Sequence, residues 1–508
     1  MAGILATIKL FESGFTAVTV YEKGDHVGGT WRDNTYPGIA CDVPSHLYSY
    51  SFAPNPDWSH TFSPGPEIRA YFQRVADEHG VTERVRLGEA VQRCEYRDHQ
   101  WHLETSAGTH DTADVVIAAT GVLHHPKYPD LDGLDSFTGA VFHSARWDHS
   151  VPIDGARVGV VGTGSTAVQI TGAVARRAAH YSLFQRTAQW VMPVGNPEYS
   201  EDERAQFRAN PDQLMQAHEN LAIAFGGFAG AVIDSESVGM AMIEGMCLEN
   251  LETVRDEALR ERLRPTYRAG CKRLVVSPNF YETMERPNVD LVTSGIARVE
   301  AGGVRTDDGV LHELDVLVLA TGFRADAFVR PMGVIGQDGK DLADAWVERP
   351  NAYLSVAVPG FPNFFMINGP NGPVGNFSLI EVAEIQFAYI LQLVELIAAG
   401  PHRGVSPTVA AMDAHEAARV DAAQRSIWVT GCQSWYLDDR GIPATWPWTF
   451  DPVRRPGRYG ARVLIEELKD LQEFAGGQSI GHFDSSAGLG INHLDAQCHR
   501  AGLLRRRG

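Results

Sequence analysis

The stretch "RVGVVGTGSTAVQI", residues 157–170, decides the fold. An apolar run leads into Gly162 and Gly164, and Ala167 follows, a G-x-G-x-x-A arrangement opening a helix. The first glycine permits a tight turn, and the second lets the backbone approach a pyrophosphate. The small third residue lets helix and strand pack closely. Thr163, Ser165, Thr166 and Gln169 complete this nucleotide turn. The next strand runs into "LFQRTAQW" (183–190), where a nicotinamide-nucleotide binder usually offers an acid to its ribose. Arg186 and Thr187 stand there instead. A guanidinium and a hydroxyl suit a 2′-phosphate, which favours NADP over NAD.

Outward from this motif, short β-type runs alternate with helical segments to about residue 190, as parallel sheets with crossover helices require. Residues 200–266 turn helix-rich, and strand signals return from Asn288 to Thr321. The fold class expected is α/β, with two Rossmann-like dinucleotide-binding domains and a helical insertion in the second. The other domain starts oddly. "AVTVYEK" (17–23) reads as a strand whose Glu22 would hold a ribose, and counting back about 20 residues puts the last glycine of a fingerprint on Gly3. Met1 and Ala2 would fill its variable positions. The expectation is a fingerprint cut in half, its first strand and two glycines missing through a late start in the gene model or a deletion; an unrelated N-terminal helix is the alternative.

Composition narrows the class. Over 508 residues, 44 Lys and Arg against 63 Asp and Glu leave a formal charge of −19, which argues against a nucleic-acid surface. The apolar run 221–233 is too short and glycine-rich to span a bilayer, and no signal peptide is visible. Six cysteines without a C-x-x-C pair suggest reduced thiols in a cytoplasmic enzyme, neither a metal site nor a redox dithiol, and disfavour a disulfide reductase.

Three stretches carry a family resemblance. "GGTWRDNTYPGIACDVPSHLYSYSF" (28–52) presents Gly29, Trp31, Tyr36, Pro37 and Asp42 in the pattern of a flavin-adjacent loop. "FTGAVFHSARWD" (137–148) matches the fingerprint F-x-G-x-x-x-H-x-x-x-W-[P/D] through Phe137, Gly139, His143, Trp147 and Asp148. "GCKRLVVSPNFYETMERPNVDLV" (270–292) looks like a segment carrying an active-site arginine, at Arg273. Over roughly residues 1–450 the chain resembles the type I Baeyer–Villiger monooxygenases, FAD- and NADPH-dependent flavoproteins.

The resemblance implies an FAD-binding domain over 1–136, a fingerprint linker over 137–150 and an NADP-binding domain over 151–330. The chain would return to the FAD domain over 331–452, and 453–508 would form a tail. FAD would be held by Gly3, Glu22, Gly29, Thr30, Trp31, Asp42 and Tyr48. NADP would lie on residues 162–167 and Gln169, its 2′-phosphate on Arg186, Thr187 and Lys272. "GCQSWYLDDRGIPATWPWTF" (431–450) resembles a mobile loop that folds over NADP through Trp435, and residues 376–399 read as a long helix whose positive end could face the flavin.

The implied reaction inserts one atom of O2 beside a ketone carbonyl through a C4a-peroxyflavin, giving an ester or lactone. Arg273, held by Asp42, would stabilise the peroxy anion. His143 and Trp147 would transmit NADP binding, and Cys41 is a packed thiol. Two other readings stay open: a heteroatom-oxidising flavin monooxygenase, and a flavin-less NADP-binding remnant.

Overall fold

The structure, a computed structural model, describes residues 1–373, 375, 377–400 and 404–449; the tail expected after residue 452 lies outside them. The nucleotide turn of residues 162–167 leads out of a five-stranded parallel sheet. Its order is Val289–Val292, His180–Phe184, Arg157–Val161, Val316–Leu319 and Ala140–His143. Every side chain of Val316–Leu319 is buried, as an interior parallel strand covered on both faces demands. Gly162 has a φ of +122°, and a Cβ there would stand 2.4 Å from the carbonyl oxygen of Ala320. Only glycine allows the turn to pass the neighbouring strand so closely. Behind it the helix Ser165–Val174 buries Ala167, Val168, Ile170 and Val174 against the sheet.

The fingerprint segment supplies the edge strand Ala140–His143. His143 is 1% exposed; its Nδ1 accepts from the amide of Ala145 at 3.1 Å. That leaves Nε2 to donate to the carbonyl of Gly322 at 3.1 Å, tying the strand end to the turn that follows Val316–Leu319. Burial lowers the ring's pKa, so it stays neutral. Trp147 packs edge-on against Phe142 at 4.9 Å.

The first unit is built from separate pieces of sheet. Val20–Glu22 pairs in parallel with Val85–Leu87, and Val116–Ala118 with Phe364–Met366. An antiparallel meander, Val91–Arg97, Gln100–Thr105 and His110–Ala113, takes Gly333–Ile335 alongside in parallel. Strands from residues 333–366 thus complete sheets begun before residue 120. The helix Leu379–Ala398 buries Ile380, Phe387, Ile390 and Leu393 in one core with Leu5 and Ile8 of the helix Ala2–Glu12. Among the described residues no helix is long and apolar enough to cross a membrane.

Helices Glu201–Ala209, Pro211–Val232, Val238–Leu251 and Glu257–Leu263 form the insertion. A reciprocal cap between Ser200 and Glu203 starts the first. The insertion meets the first unit at His46, 4% exposed, whose ring lies 4.6 Å from Phe207 and 5.1 Å from Tyr199. Burial pushes its pKa down to about 4. The unfolded chain therefore binds this proton first, so stability falls as pH drops below about 6.5. The slope from this ring is roughly 1.4 kcal/mol per pH unit and levels off near the folded pKa. We expect His46→Phe to flatten the fall of Tm between pH 6.5 and 5; an unchanged slope would remove His46 from the acid response.

Candidate active site

A cavity of about 2760 Å³ runs between the two nucleotide units. Arg273 stands in its wall on the segment leading into the strand Val275–Val276, which pairs in parallel with Val191–Met192. Its Nη2 donates to Oδ2 of Asp42 at 2.5 Å, across 231 residues of chain. Both side chains are partly open, 32% and 25% exposed. The carboxylate of Asp42 raises the arginine's pKa further, more than burial lowers it, so the guanidinium is permanently charged. Cys41, beside Asp42, is buried and its thiol is pushed up by desolvation, as a packed thiol should be.

Gln169 sets the position of the Asp42 loop. Its Nε2 donates to the carbonyl of Ala40 at 3.0 Å, and its Oε1 accepts from the hydroxyl of Tyr36 at 2.8 Å. One side chain on the second unit's helix thus holds two points of the first unit's loop. Gln169→Ala is expected to keep the fold but lower oxygenation and raise wasteful NADPH oxidation; unchanged coupling would show that the loop is positioned otherwise.

Sequence reasoning missed Tyr436. It is 4% exposed, and the charge of the Arg273 guanidinium partly offsets the upward push of burial on its phenol's pKa. Gly375, at φ +100°, would place a Cβ 2.0 Å from the Tyr436 hydroxyl oxygen. The neighbouring Trp435 is 46% exposed and lines the cavity, with its ring 4.3 Å from that of Tyr436. In an irregular loop, one aromatic residue buried and its neighbour exposed leave no sequence period to read. Gly375→Ala is expected to displace Tyr436 and raise the KM for NADPH severalfold; wild-type kinetics would show that the tyrosine need not sit there.

At the second unit's end of the cavity Gly164, Ser165, Thr166, Gln169 and Arg186 reach the wall. The helix Ser165–Val174 begins at Gly164 without a side-chain cap, leaving amides for an anion. Arg186 is exposed. Lys272 has its ammonium 4.8 Å above the ring of Tyr267, and its pKa is lowered by burial and by the charge of Arg186. Among the described residues neither cation has an ion-pair partner. Two close positive charges without a carboxylate fit a dianionic phosphate. Thr187 accepts from the hydroxyl of Thr163 at 2.7 Å through its carbonyl. Gly162, Thr163, Ala167, Thr187 and Lys272 do not themselves line the cavity.

At the other end Gly3, Glu22, Gly29, Thr30, Trp31 and Tyr48 line it. Glu22 accepts from the amide of Gly24 at 2.7 Å and from Arg32 at 2.9 Å, both through Oε1. Oε2 has no hydrogen-bond partner among the described residues and is available to a ribose hydroxyl. The helix Ala2–Glu12 starts without a side-chain cap or an acidic residue, which suits a pyrophosphate. The indole of Trp31 donates to the Tyr48 hydroxyl at 3.2 Å. These groups fit an FAD as those at the other end fit an NADP.

One expectation is corrected. Cys271 and Cys432 form a disulfide, their Cα atoms 6.2 Å apart and 161 residues apart in sequence. A search for C-x-x-C spacing cannot see a pair that only tertiary packing assembles. Cys41, Cys94 and Cys247 are free and buried.

Comparison with known proteins agrees with this geometry. A family model described as pyridine nucleotide-disulphide oxidoreductase matches residues 1–224. A Baeyer–Villiger monooxygenase of Streptomyces coelicolor is 40% identical over 476 residues, 92% of this chain and 91% of that protein. An uncharacterised monooxygenase of Mycobacterium bovis is 47% identical over 458 residues, 90% of this chain and 91% of its own length. The crystal structure of cyclohexanone monooxygenase from Rhodococcus sp. Phi1 bound to NADP+ superposes with a TM-score of 0.81 at 30% identity, covering 93% of this chain and 96% of that one. Similarity of this depth, spread over both nucleotide units, means that the chain belongs to the Baeyer–Villiger monooxygenases, flavin-dependent enzymes of oxygen insertion.

Proposed function

We propose that this chain uses NADPH, FAD and O2 to convert a ketone into an ester or lactone, with Arg273 as the catalytic residue. When bound, FAD would supply the redox chemistry, passing electrons from NADPH to O2. The pair of Arg273 with Asp42 in the cavity wall carries the proposal. A guanidinium that cannot deprotonate provides fixed N–H donors wherever negative charge builds on oxygen, first on the attacking atom and then on the former carbonyl oxygen. Asp42 takes up one side of the fork and orients the rest. Tyr436, buried near the guanidinium, and Trp435, in the cavity wall, exclude water from the reacting atoms. Arg186 and Lys272 anchor the 2′-phosphate, and the amides of residues 164–166 meet the pyrophosphate. Glu22, Trp31 and Tyr48 belong to the flavin nucleotide's end.

The test is direct. The purified chain, supplied with FAD, NADPH and a simple cyclic ketone, is expected to yield lactone in step with NADPH consumption. Oxidation of an organic sulfide with no lactone from any ketone would move the chain to heteroatom chemistry.

A further inference from the structure

The disulfide joins two segments whose separation matters for turnover. Cys271 lies two residues before Arg273, and Cys432 three residues before Trp435. The bond therefore spans from the arginine's segment to the loop proposed to cover NADP. Cys271 is 0% exposed and Cys432 is 7% exposed. Around them Met240, Ile243, Ile427 and Trp428 form an apolar cluster that also contains Tyr436. Beyond the cluster, Arg349 pairs with Asp438 at 2.7 Å, so the loop has a non-covalent anchor when the thiols are reduced.

We propose that Cys271 and Cys432 are a reversible redox-modification site whose oxidant is a hydroperoxide, and that their disulfide latches the loop 431–449 over the arginine. The chemistry balances. The thiolate of Cys432, the more accessible sulfur, attacks one peroxide oxygen; the O–O bond breaks and, after protonation, water leaves with a sulfenic acid formed. The thiolate of Cys271 then attacks that sulfur, the S–O bond breaks and a second water leaves. Together, two thiols and one hydrogen peroxide give one disulfide and two waters, sulfur losing the two electrons that oxygen gains. Hydrogen peroxide is what a flavin oxygenase releases when activated oxygen leaves without meeting a substrate, so the oxidant arises in the cavity whose wall includes Gln433, the residue after Cys432.

The three other described cysteines lack this arrangement. Each is a single buried thiol without a disulfide partner. The consequence drawn here rests on reading 431–449 as the cofactor loop. A loop tied at Cys432 cannot lift fully, so NADP+ release slows when peroxide accumulates. The enzyme then consumes less NADPH under the conditions in which it is being wasted.

The FAD-loaded chain, reduced with dithiothreitol and then titrated with hydrogen peroxide, tests this. Differential alkylation with peptide mass mapping reads the bond, and stopped-flow displacement reads NADP+ release. Peroxide is expected to protect Cys271 and Cys432 together and slow NADP+ release severalfold, with dithiothreitol restoring both. Cys432→Ser should release NADP+ at the reduced wild-type rate with or without peroxide. The reduced wild-type chain serves as the open reference if that variant folds poorly. Equal alkylation of both cysteines before and after peroxide would overturn the site. A bond that forms while release stays unchanged would overturn the latch. Absence of NADP+ binding in the reduced chain would instead fail the reading of the loop, and with it the latch.

Discussion

Arg273→Ala is expected to leave flavin reduction by NADPH near the wild-type rate while ester formation falls by about 100- to 1,000-fold, the usual cost of losing a donor aimed at developing negative charge. The two half-reactions separate because hydride transfer requires only that nicotinamide and flavin be held face to face. Oxygen transfer requires a positive charge where the oxygen becomes anionic. The variant should also turn NADPH into hydrogen peroxide, since oxygen would still be consumed without reaching the ketone. Removing the guanidinium leaves Asp42 without its ion-pair partner at 2.5 Å, so Arg273→Lys is the more informative companion. It retains charge but loses the planar fork, and should recover only part of the activity. Anaerobic stopped-flow reduction and chromatography of the ester measure the two steps independently. Equal loss in both steps would mean that Arg273 serves the fold or nucleotide binding rather than oxygen transfer.

The second large effect is expected at the phosphate end. Arg186→Ala should raise the KM for NADPH by about 10- to 100-fold, in line with a charge-assisted hydrogen bond worth roughly 1.5–3 kcal/mol. The KM for NADH, which lacks the phosphate, should change little. Lys272→Ala should act in the same direction, and its effect should not simply add to that of Arg186→Ala, because the two cations lie close enough for one to depress the other's pKa. Equal penalties for NADPH and NADH would contradict a 2′-phosphate role and point to a general weakening of the nucleotide site. High salt should weaken NADPH binding more than NADH binding, since exposed charge pairs are screened.

How far the sequence reached depends on the range of the interactions involved. Gly162 to Ala167 were legible because a phosphate turn is a local structure: strand, glycine turn and helix lie within fourteen consecutive residues, and each position has one steric task. The alternating α/β character was legible for the same reason. Arg273 and Asp42 came into view through family resemblance, yet their meeting in the cavity wall is a tertiary fact that spacing alone could not supply. Tyr436 escaped because an irregular loop has no period to reveal which of two adjacent aromatic residues turns inward. The Cys271–Cys432 bond escaped because composition shows how many thiols exist but not which ones packing brings together. The fingerprint's His143 and Trp147 read as a linker, and in the structure Ala140–His143 is also an edge strand of the sheet.

The central claim is tested most directly by a crystal structure of this chain with FAD and NADP+ bound, in which the position of one guanidinium is measured. The account predicts Arg273 still paired with Asp42, its free N–H groups directed into the space between the flavin ring and the nicotinamide. A guanidinium turned away from both rings, with Asp42 bound to some other group, would contradict it.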